Sequence, residues 1–207
     1  MNDYLIIDDL QKNWPMKKIA LSFTLSQGEA LALLGQSGCG KTSVLRMIAG
    51  LLQPDSGHIV LDGEDISDLP AGKRHVGMVF QDHALFPHLR VEDNIGYGLV
   101  SAGISKKESR RIANEWLARF DMPGFGRRNI ESLSGGEKQR VALARTLAVS
   151  PRLVLFDEPL SALDTDLRKR LQHELRTRQQ RFGYTAIYVT HDTDEAEVLA
   201  DRIIRMS

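Results

Sequence analysis

Apolar positions in this chain fall into short dense runs between polar, glycine-rich stretches, and their period changes along the sequence. Leu5 to Ile7 and Ile19 to Leu25 predict early strands; the second alternates apolar and polar residues, and Gln27-Gly28 predicts a turn after it. Ala30 to Leu34 is apolar without a break, as a strand covered on both faces requires. A helix is predicted from Lys41 to about Leu52, stopped by Gln53-Pro54-Asp55-Ser56-Gly57. His58 to Leu61 reads as a short strand closed by the turn pair Asp62-Gly63, and Val76 to Phe80 as another strand.

The period then becomes helical. From Ser105 to Phe120, Ile112, Trp116, Leu117 and Phe120 share one side; Met122 to Gly126 is a loop; a second helix runs from about Gly136 to Val149. After that the strand–helix rhythm returns. Leu153 to Phe156 is a buried strand, Asp166 to Arg181 a polar-faced helix, Thr185 to Val189 a strand, Glu195 to Leu199 a short helix and Ile203-Ile204 a last strand. This alternation predicts an α/β fold with a largely parallel sheet. Residues 1–81 and 150–207 read as one sheet-based core, and 82–149 as an inserted, mostly helical subdomain.

Composition narrows the function classes. The 207 residues are 42% hydrophobic and 26% charged, enough to build a core and too apolar for a disordered chain. Lys and Arg number 27 and so do Asp and Glu, so no global positive field is available to hold a nucleic acid. No apolar run approaches the ~18 residues of a membrane-spanning helix. The acidic start Met1-Asn2-Asp3-Tyr4 lacks the pattern of a secretory leader, which predicts a cytosolic protein. Cys39 is the only cysteine, so there is no intrachain disulfide and no multi-cysteine zinc site.

The chemistry starts at Gly35-Gln36-Ser37-Gly38-Cys39-Gly40-Lys41-Thr42-Ser43, which contains G-x-x-x-x-G-K-[ST] between an apolar strand and a helix. Glycines let the backbone curl and aim successive N–H groups at a polyphosphate, and the helix N-terminus adds partial positive charge. Lys41 is placed to reach the β- and γ-phosphates, and the Thr42 hydroxyl to ligate Mg²⁺. Cys39 reads as a space-filler, since the loop needs nothing from its sulfur.

A second group ends the strand Leu153 to Phe156: Asp157-Glu158-Pro159. Ligands of open α/β sheets sit at the carboxyl ends of strands, so Asp157 falls beside the phosphate loop as a Mg²⁺ ligand. Glu158 falls on the γ-phosphate side, where a carboxylate can polarise an attacking water. The third group is Ser134-Gly135-Gly136-Glu137. Ser134-x-x-Glu137 is a capping box, but two glycines in the first turn cost roughly 1 kcal/mol each relative to alanine. A helix built only to start well would not carry them, whereas glycines suit close approach to an anion. The chain thus has two phosphate-binding helix starts within one predicted domain.

With these residues the sequence resembles the nucleotide-binding subunits of ABC transporters over nearly its whole length. The resemblance implies a P-loop NTPase core with a mostly parallel sheet, an antiparallel β portion and an inserted helical subdomain. Leu133-Ser134-Gly135-Gly136-Glu137 matches the family signature, which binds the γ-phosphate of ATP held by the partner subunit, so each site is shared between two subunits. Gln81 in Val-Phe-Gln-Asp resembles the Q-loop glutamine that contacts Mg²⁺ and senses the γ-phosphate. Ser161-Ala162-Leu163-Asp164 resembles the D-loop at the dimer interface, His191 in Val-Thr-His-Asp the switch histidine, and Trp14 the aromatic residue that stacks on adenine. The implied ligands are ATP and Mg²⁺, and the implied reaction is hydrolysis of ATP with Glu158 as base.

The same resemblance extends to partners. Phe80 to Leu89 is apolar for a loop, and with Val91-Glu92-Asp93-Asn94-Ile95 it is similar to importer subunits for ferric iron, polyamines, maltose, sulfate or thiamine. The expected partners are a second copy, integral membrane permease subunits on which the chain sits at the cytoplasmic face of the inner membrane, and a separate substrate-binding protein; no nucleic acid is expected. The rival class is a soluble ABC ATPase acting in DNA repair or on the ribosome. The short span from Gln81 to Ser134 leaves no room for the long coiled coil of the repair relatives, and one such domain is present rather than two. Members of the family usually continue beyond the point where this chain stops at Ser207, often into a C-terminal regulatory domain, so regulation through such a domain is not among the expectations.

Overall fold

The unbroken run Ala30 to Leu34 becomes β3 (Ala30–Gly35), and its neighbours decide what surrounds it. A computed structural model describes residues 3–15, 17–161 and 165–206. In it β6 (Val76–Val79), β7 (Leu153–Asp157), β8 (Thr185–Thr190), β3 and β9 (Arg202–Met206) form a five-stranded parallel sheet in the order β6-β7-β8-β3-β9. Side chains alternate between its faces with period two. Leu31, Leu33, Leu153, Leu155, Ile187 and Val189 enter one core, and Ala30, Val154, Phe156, Ala186 and Tyr188 enter the other. A strand apolar at every position satisfies both cores at once.

The first core is closed by α1 (Lys41–Ile48) and an antiparallel sheet. That sheet has the order β2-β1-β4-β5, built from β1 (Leu5–Trp14), β2 (Lys17–Leu25), β4 (Ser56–Leu61) and β5 (Glu64–Asp65). The second is closed by helices α2 (Val91–Ser101), α3 (Lys106–Arg119), α4 (Gly135–Ala148) and α5 (Thr165–Phe182); a further helix, α6 (Thr193–Leu199), packs on β3. The architecture is therefore α/β, with a parallel sheet, an antiparallel sheet and helices.

Three differences from the sequence reading have physical causes. First, α1 ends at Ile48, not near Leu52. Gly50 takes a left-handed φ of 74°, and the amides of Leu51 and Leu52 turn back to the Arg46 carbonyl. Arg74, 1% exposed, then donates to the last carbonyls of the helix, from Nη1 to Met47 at 2.8 Å and to Ile48 at 3.2 Å. It also donates to the carbonyls of Leu69 (2.7 Å) and Ser67 (2.7 Å). A Cβ on Gly50 would sit 2.5 Å from Arg74 Nε, so this stop is specified by a distant side chain. Second, α2 is a full helix where only a loop and a short family-like segment were read. Its interior glycines weaken the helical signal but allow close packing: a Cβ on Gly96 would lie 3.1 Å from Ser109 Oγ, and one on Gly98 2.7 Å from Val149 Cγ1. Third, β1 continues to Trp14, past a register shift between Ile7 and Leu10 that interrupts the alternation.

The end of β8 is fixed by a buried acid. Thr190 Oγ1 donates to Glu195 Oε2 at 2.6 Å, and Glu195 is 4% exposed. Burial raises its pKa above the ordinary 4.5.

Two predictions follow from these contacts. Arg74→Met removes the charged donor from four carbonyls, three of them in buried bonds, and is expected to cost about 3 kcal/mol of unfolding free energy, read by urea denaturation. For Glu195 the folded state favours the protonated acid, so its contribution opposes folding as pH rises from 4.5 through the raised folded value. Glu195→Gln is expected to raise the melting temperature at pH 8 and to leave it little changed near pH 4; an equal shift at both pH values would contradict the assignment.

Candidate functional site

The phosphate loop joins β3 to α1, and its backbone is left-handed at Gly38 (φ 84°) and Gly40 (φ 108°), the residue that caps α1. Lys41 folds back along the loop: its ammonium donates to the carbonyls of Gly35 (2.7 Å) and Gln36 (3.0 Å), and the residue is 4% exposed. The loop opens on a cleft of about 390 Å³ lined by Trp14, Lys17, Ser37, Gly38, Gly40, Lys41, Thr42, Ser43 and Glu158. Gly35, Gln36 and Cys39 face a second hollow, with Arg205 and Met206. The Cys39 sulfur lies 2.8 Å from where a Cβ on Gly35 would be, which fits a space-filling part.

Parallel register delivers the acidic group. Thr190 pairs with Leu34 and Val189 with Asp157, so the carboxyl ends of β3, β8 and β7 lie side by side. Thr42 Oγ1 donates to Asp157 Oδ1 at 2.7 Å. One residue on, Glu158 adopts φ 46° and its N–H still bonds the Val189 carbonyl at 3.1 Å. The left-handed kink re-aims its carboxylate along the end of the sheet, where His191 Nδ1 lies 3.6 Å from Glu158 Oε2. The imidazole is half exposed and Glu158 largely covered. Gln81, after β6, donates to Ser161 Oγ at 2.8 Å, and that hydroxyl donates to the Glu158 carbonyl at 3.1 Å. A chain of contacts thus runs from Gln81 to the backbone of Glu158.

Thr42, Asp157 and Gln81 offer a hydroxyl, a carboxylate and an amide, the hard oxygen donors that suit Mg²⁺ when phosphates and water complete its shell. Among the described residues no group of three or more His, Cys, Asp or Glu is placed to hold a metal by protein alone.

Ser134 caps α4. Its hydroxyl accepts from the Glu137 N–H at 3.4 Å and its own N–H donates to Glu137 Oε2 at 2.7 Å. That backbone bond holds the Glu137 carboxyl below its ordinary pKa. Ser134, Gly135, Gly136 and Glu137 do not line the phosphate-loop cleft. The chain's two glycine-rich helix starts are separate in one copy. Asp164, like Ala162 and Leu163, lies outside the described residues.

Sequence reasoning missed the residues that hold the Gln81 loop. His83 and Ala84 both take left-handed backbone, at φ 64° and 45°. Arg145, from α4, donates to their carbonyls at 2.9 and 2.6 Å, and its guanidinium sits 5.5 Å over the Phe86 ring. Burial lowers the Arg145 pKa. Asn94, fully buried on α2, accepts from Phe86 N–H and donates to the carbonyls of Phe86, Leu89 and Arg90. No local pattern announces either residue, because their partners are backbone atoms far along the chain or in an irregular loop.

Comparison with known proteins agrees with this geometry. The family model for ABC transporters matches residues 19–161. The chain is 54% identical over 186 residues to the Fe(3+) ions import ATP-binding protein FbpC 1 of Rhizobium meliloti, covering 90% of this chain and 53% of that protein. It is 45% identical to the Fe(3+) ions import ATP-binding protein FbpC 1 of Haemophilus influenzae, covering 100% of this chain and 63% of that one. The chain therefore spans little more than half the length of these curated relatives. Among solved structures, the dimeric post-hydrolysis state of the ATP-binding cassette MJ0796, bound to ADP and Pi, superposes with a TM-score of 0.81 at 29% identity, over 98% of this chain and 94% of that one.

The Arg145 tether has a direct test. Arg145→Ala is expected to raise amide exchange across residues 81–89 by at least about tenfold, since two carbonyls lose a charged donor worth about 1.5–3 kcal/mol per bond. Exchange in β7 and β8 stays at its original level, and a uniform rise across the chain would instead mean global loosening.

Proposed function

This chain belongs to the ABC transporter family, and from that membership and the geometry of its cleft we propose that it is the ATP-binding, ATP-hydrolysing subunit that energises a membrane importer. The observation that carries the reading is the pair Glu158–His191, 3.6 Å apart at the ends of adjacent strands and beside the phosphate loop. A carboxylate there accepts the proton of an attacking water, and the half-exposed imidazole is free to donate to the γ-phosphate. Lys41, the loop amides and Ser43 bind the phosphates, and Trp14 stacks on the adenine. Thr42, Asp157 and Gln81 hold Mg²⁺, which when bound neutralises charge on the β- and γ-phosphates.

The site is completed by a second copy. Ser134, Gly135, Gly136 and Glu137 of one subunit close on the nucleotide held by the other, and Asp164 lies at the contact between them. Two ATP molecules join two subunits, and loss of the γ-phosphate removes the shared ligand. Residues 1–81 and 150–207 act as the nucleotide-binding core, and 82–149 as the helical subdomain that carries Ser134. Phe86, Tyr97, Val100 and Val149 present apolar surface beside the Gln81 loop, the last three of them exposed. Permease subunits dock there, which puts the chain at the cytoplasmic face of the inner membrane. Among the described residues no helix is long and apolar enough to cross a membrane. A separate binding protein delivers the cargo; the names of the relatives favour ferric iron, and no nucleic acid takes part.

Glu158→Gln is expected to lower steady-state hydrolysis by about 10²- to 10⁴-fold while ATP drives the variant into a dimer, measured by sedimentation. A monomer at saturating ATP, both alone and with its membrane partner, would sink the two-subunit site. Capture of the tagged protein from native membranes is expected to bring down polytopic permeases; recovery of ribosomes or soluble partners alone would favour a non-transport ATPase.

A further inference from the structure

The cleft contains a cation that none of the motifs accounts for. Lys17 opens β2 and pairs directly with Trp14 at the end of β1, so the two side chains stand next to each other on one face of the hairpin. Both line the cleft. The Lys17 ammonium donates to the Gly38 carbonyl, and it lies 3.2 Å from where a Cβ on Gly40 would be. It therefore stands over the outer half of the phosphate loop. The other lysine of the cleft sits deeper in the loop: Lys41 donates to the carbonyls of Gly35 and Gln36 and is almost fully covered. The first turn of α1 carries no acidic residue, and among the described residues the one carboxylate lining the cleft is Glu158.

Contacts link these groups in series. Trp14 stands against Lys17, Lys17 meets Gly38 and Gly40, Gly40 caps α1 just before Lys41 and Thr42, and Thr42 bonds Asp157 behind the cleft. A nucleotide whose base stacks on Trp14 meets Lys17 with the phosphate nearest its ribose. We propose that Lys17 binds the α-phosphate, exchanging its bond to the Gly38 carbonyl for a charge-assisted bond to a phosphate oxygen. This rests on the reading that the cleft takes ATP.

The test is displacement of N-methylanthraniloyl-ADP by AMP, ADP and ATP at low salt. Lys17→Gln keeps an N–H for the Gly38 carbonyl but has no charge; Lys17→Arg keeps the charge. The expected result is that Lys17→Gln weakens all three nucleotides by the same factor, about tenfold, which is about 1.4 kcal/mol. Lys17→Arg stays within about threefold of the parent, and the Lys17→Gln deficit shrinks as salt screens the charge. Unchanged affinity in Lys17→Gln overturns the proposal and leaves Lys17 as a brace for the loop. A deficit that grows from AMP to ATP also overturns it, because the ammonium then faces the outer phosphates. If the parent protein does not bind the probe, the ATP reading itself fails. If it binds and Lys41→Ala abolishes binding while Lys17→Gln does not weaken it, only the Lys17 proposal is lost.

Discussion

Parallel alignment of three strand ends is what the candidate site depends on. β3, β8 and β7 are adjacent and in register, with Leu34 against Thr190 and Val189 against Asp157. Each strand then leaves the sheet by a different route: into a glycine loop and helix, through a left-handed glutamate, or toward a histidine. The two faces of each strand fill two different cores, so a shift of one residue would exchange those side-chain sets along the whole strand and misfit both. The packing that stabilises the sheet is therefore also what brings Thr42 within 2.7 Å of Asp157 and His191 within 3.6 Å of Glu158.

A second layer of contacts ties the Gln81 loop to that strand edge and to the helices beyond. Gln81 reaches Ser161, Arg145 holds the carbonyls of His83 and Ala84, and Asn94 clamps Phe86. Arg145 lies on the helix that starts at Ser134. A displacement of α4 pulls on the loop joined through Gln81 and Ser161 to the backbone of Glu158, by way of two charged hydrogen bonds, and the apolar surface around Phe86 and Tyr97 adjoins the same loop. That apolar surface and Glu158 are thus tied to one short, strained connector.

Much of this was legible in the sequence, for reasons that differ by residue. Gly35 to Thr42 reads clearly because a local pattern, a strand before and a helix after constrain one another. Asp157 and Glu158 read from their place at the end of an apolar strand. Glu158's left-handed backbone did not, since nothing local demands it. The stop of α1 was misjudged because Gly50 was outweighed by the later Gln53-Pro54, while the deciding cap, Arg74, lies far along the chain. Helix α2 was hidden by its own glycines, which packing against Ser109 and Val149 requires. Lys17 carries no local signal; only the hairpin register sets it against Trp14. Local pattern reveals residues that act through their neighbours in sequence, and it is silent on side chains that act on distant backbone.

The strand order also carries a cost in time. β3 leaves the ribosome early, yet its partners lie far along the chain, Ala30 pairing with Ala186 of β8 and Leu31 with Arg202 of β9. Until they arrive its apolar residues have no sheet neighbour on either side, and closing so long a loop is slow compared with forming hairpins or helices. The antiparallel sheet of β1, β2 and β4 can assemble first and cover one face of β3 during synthesis. The phosphate loop, anchored on β3, acquires its acidic partners only when the last third of the chain has folded back. Until β8 and β9 have been made, the nascent chain is thus held in a sticky, binding-incompetent form, a state in which chaperone capture competes with aggregation.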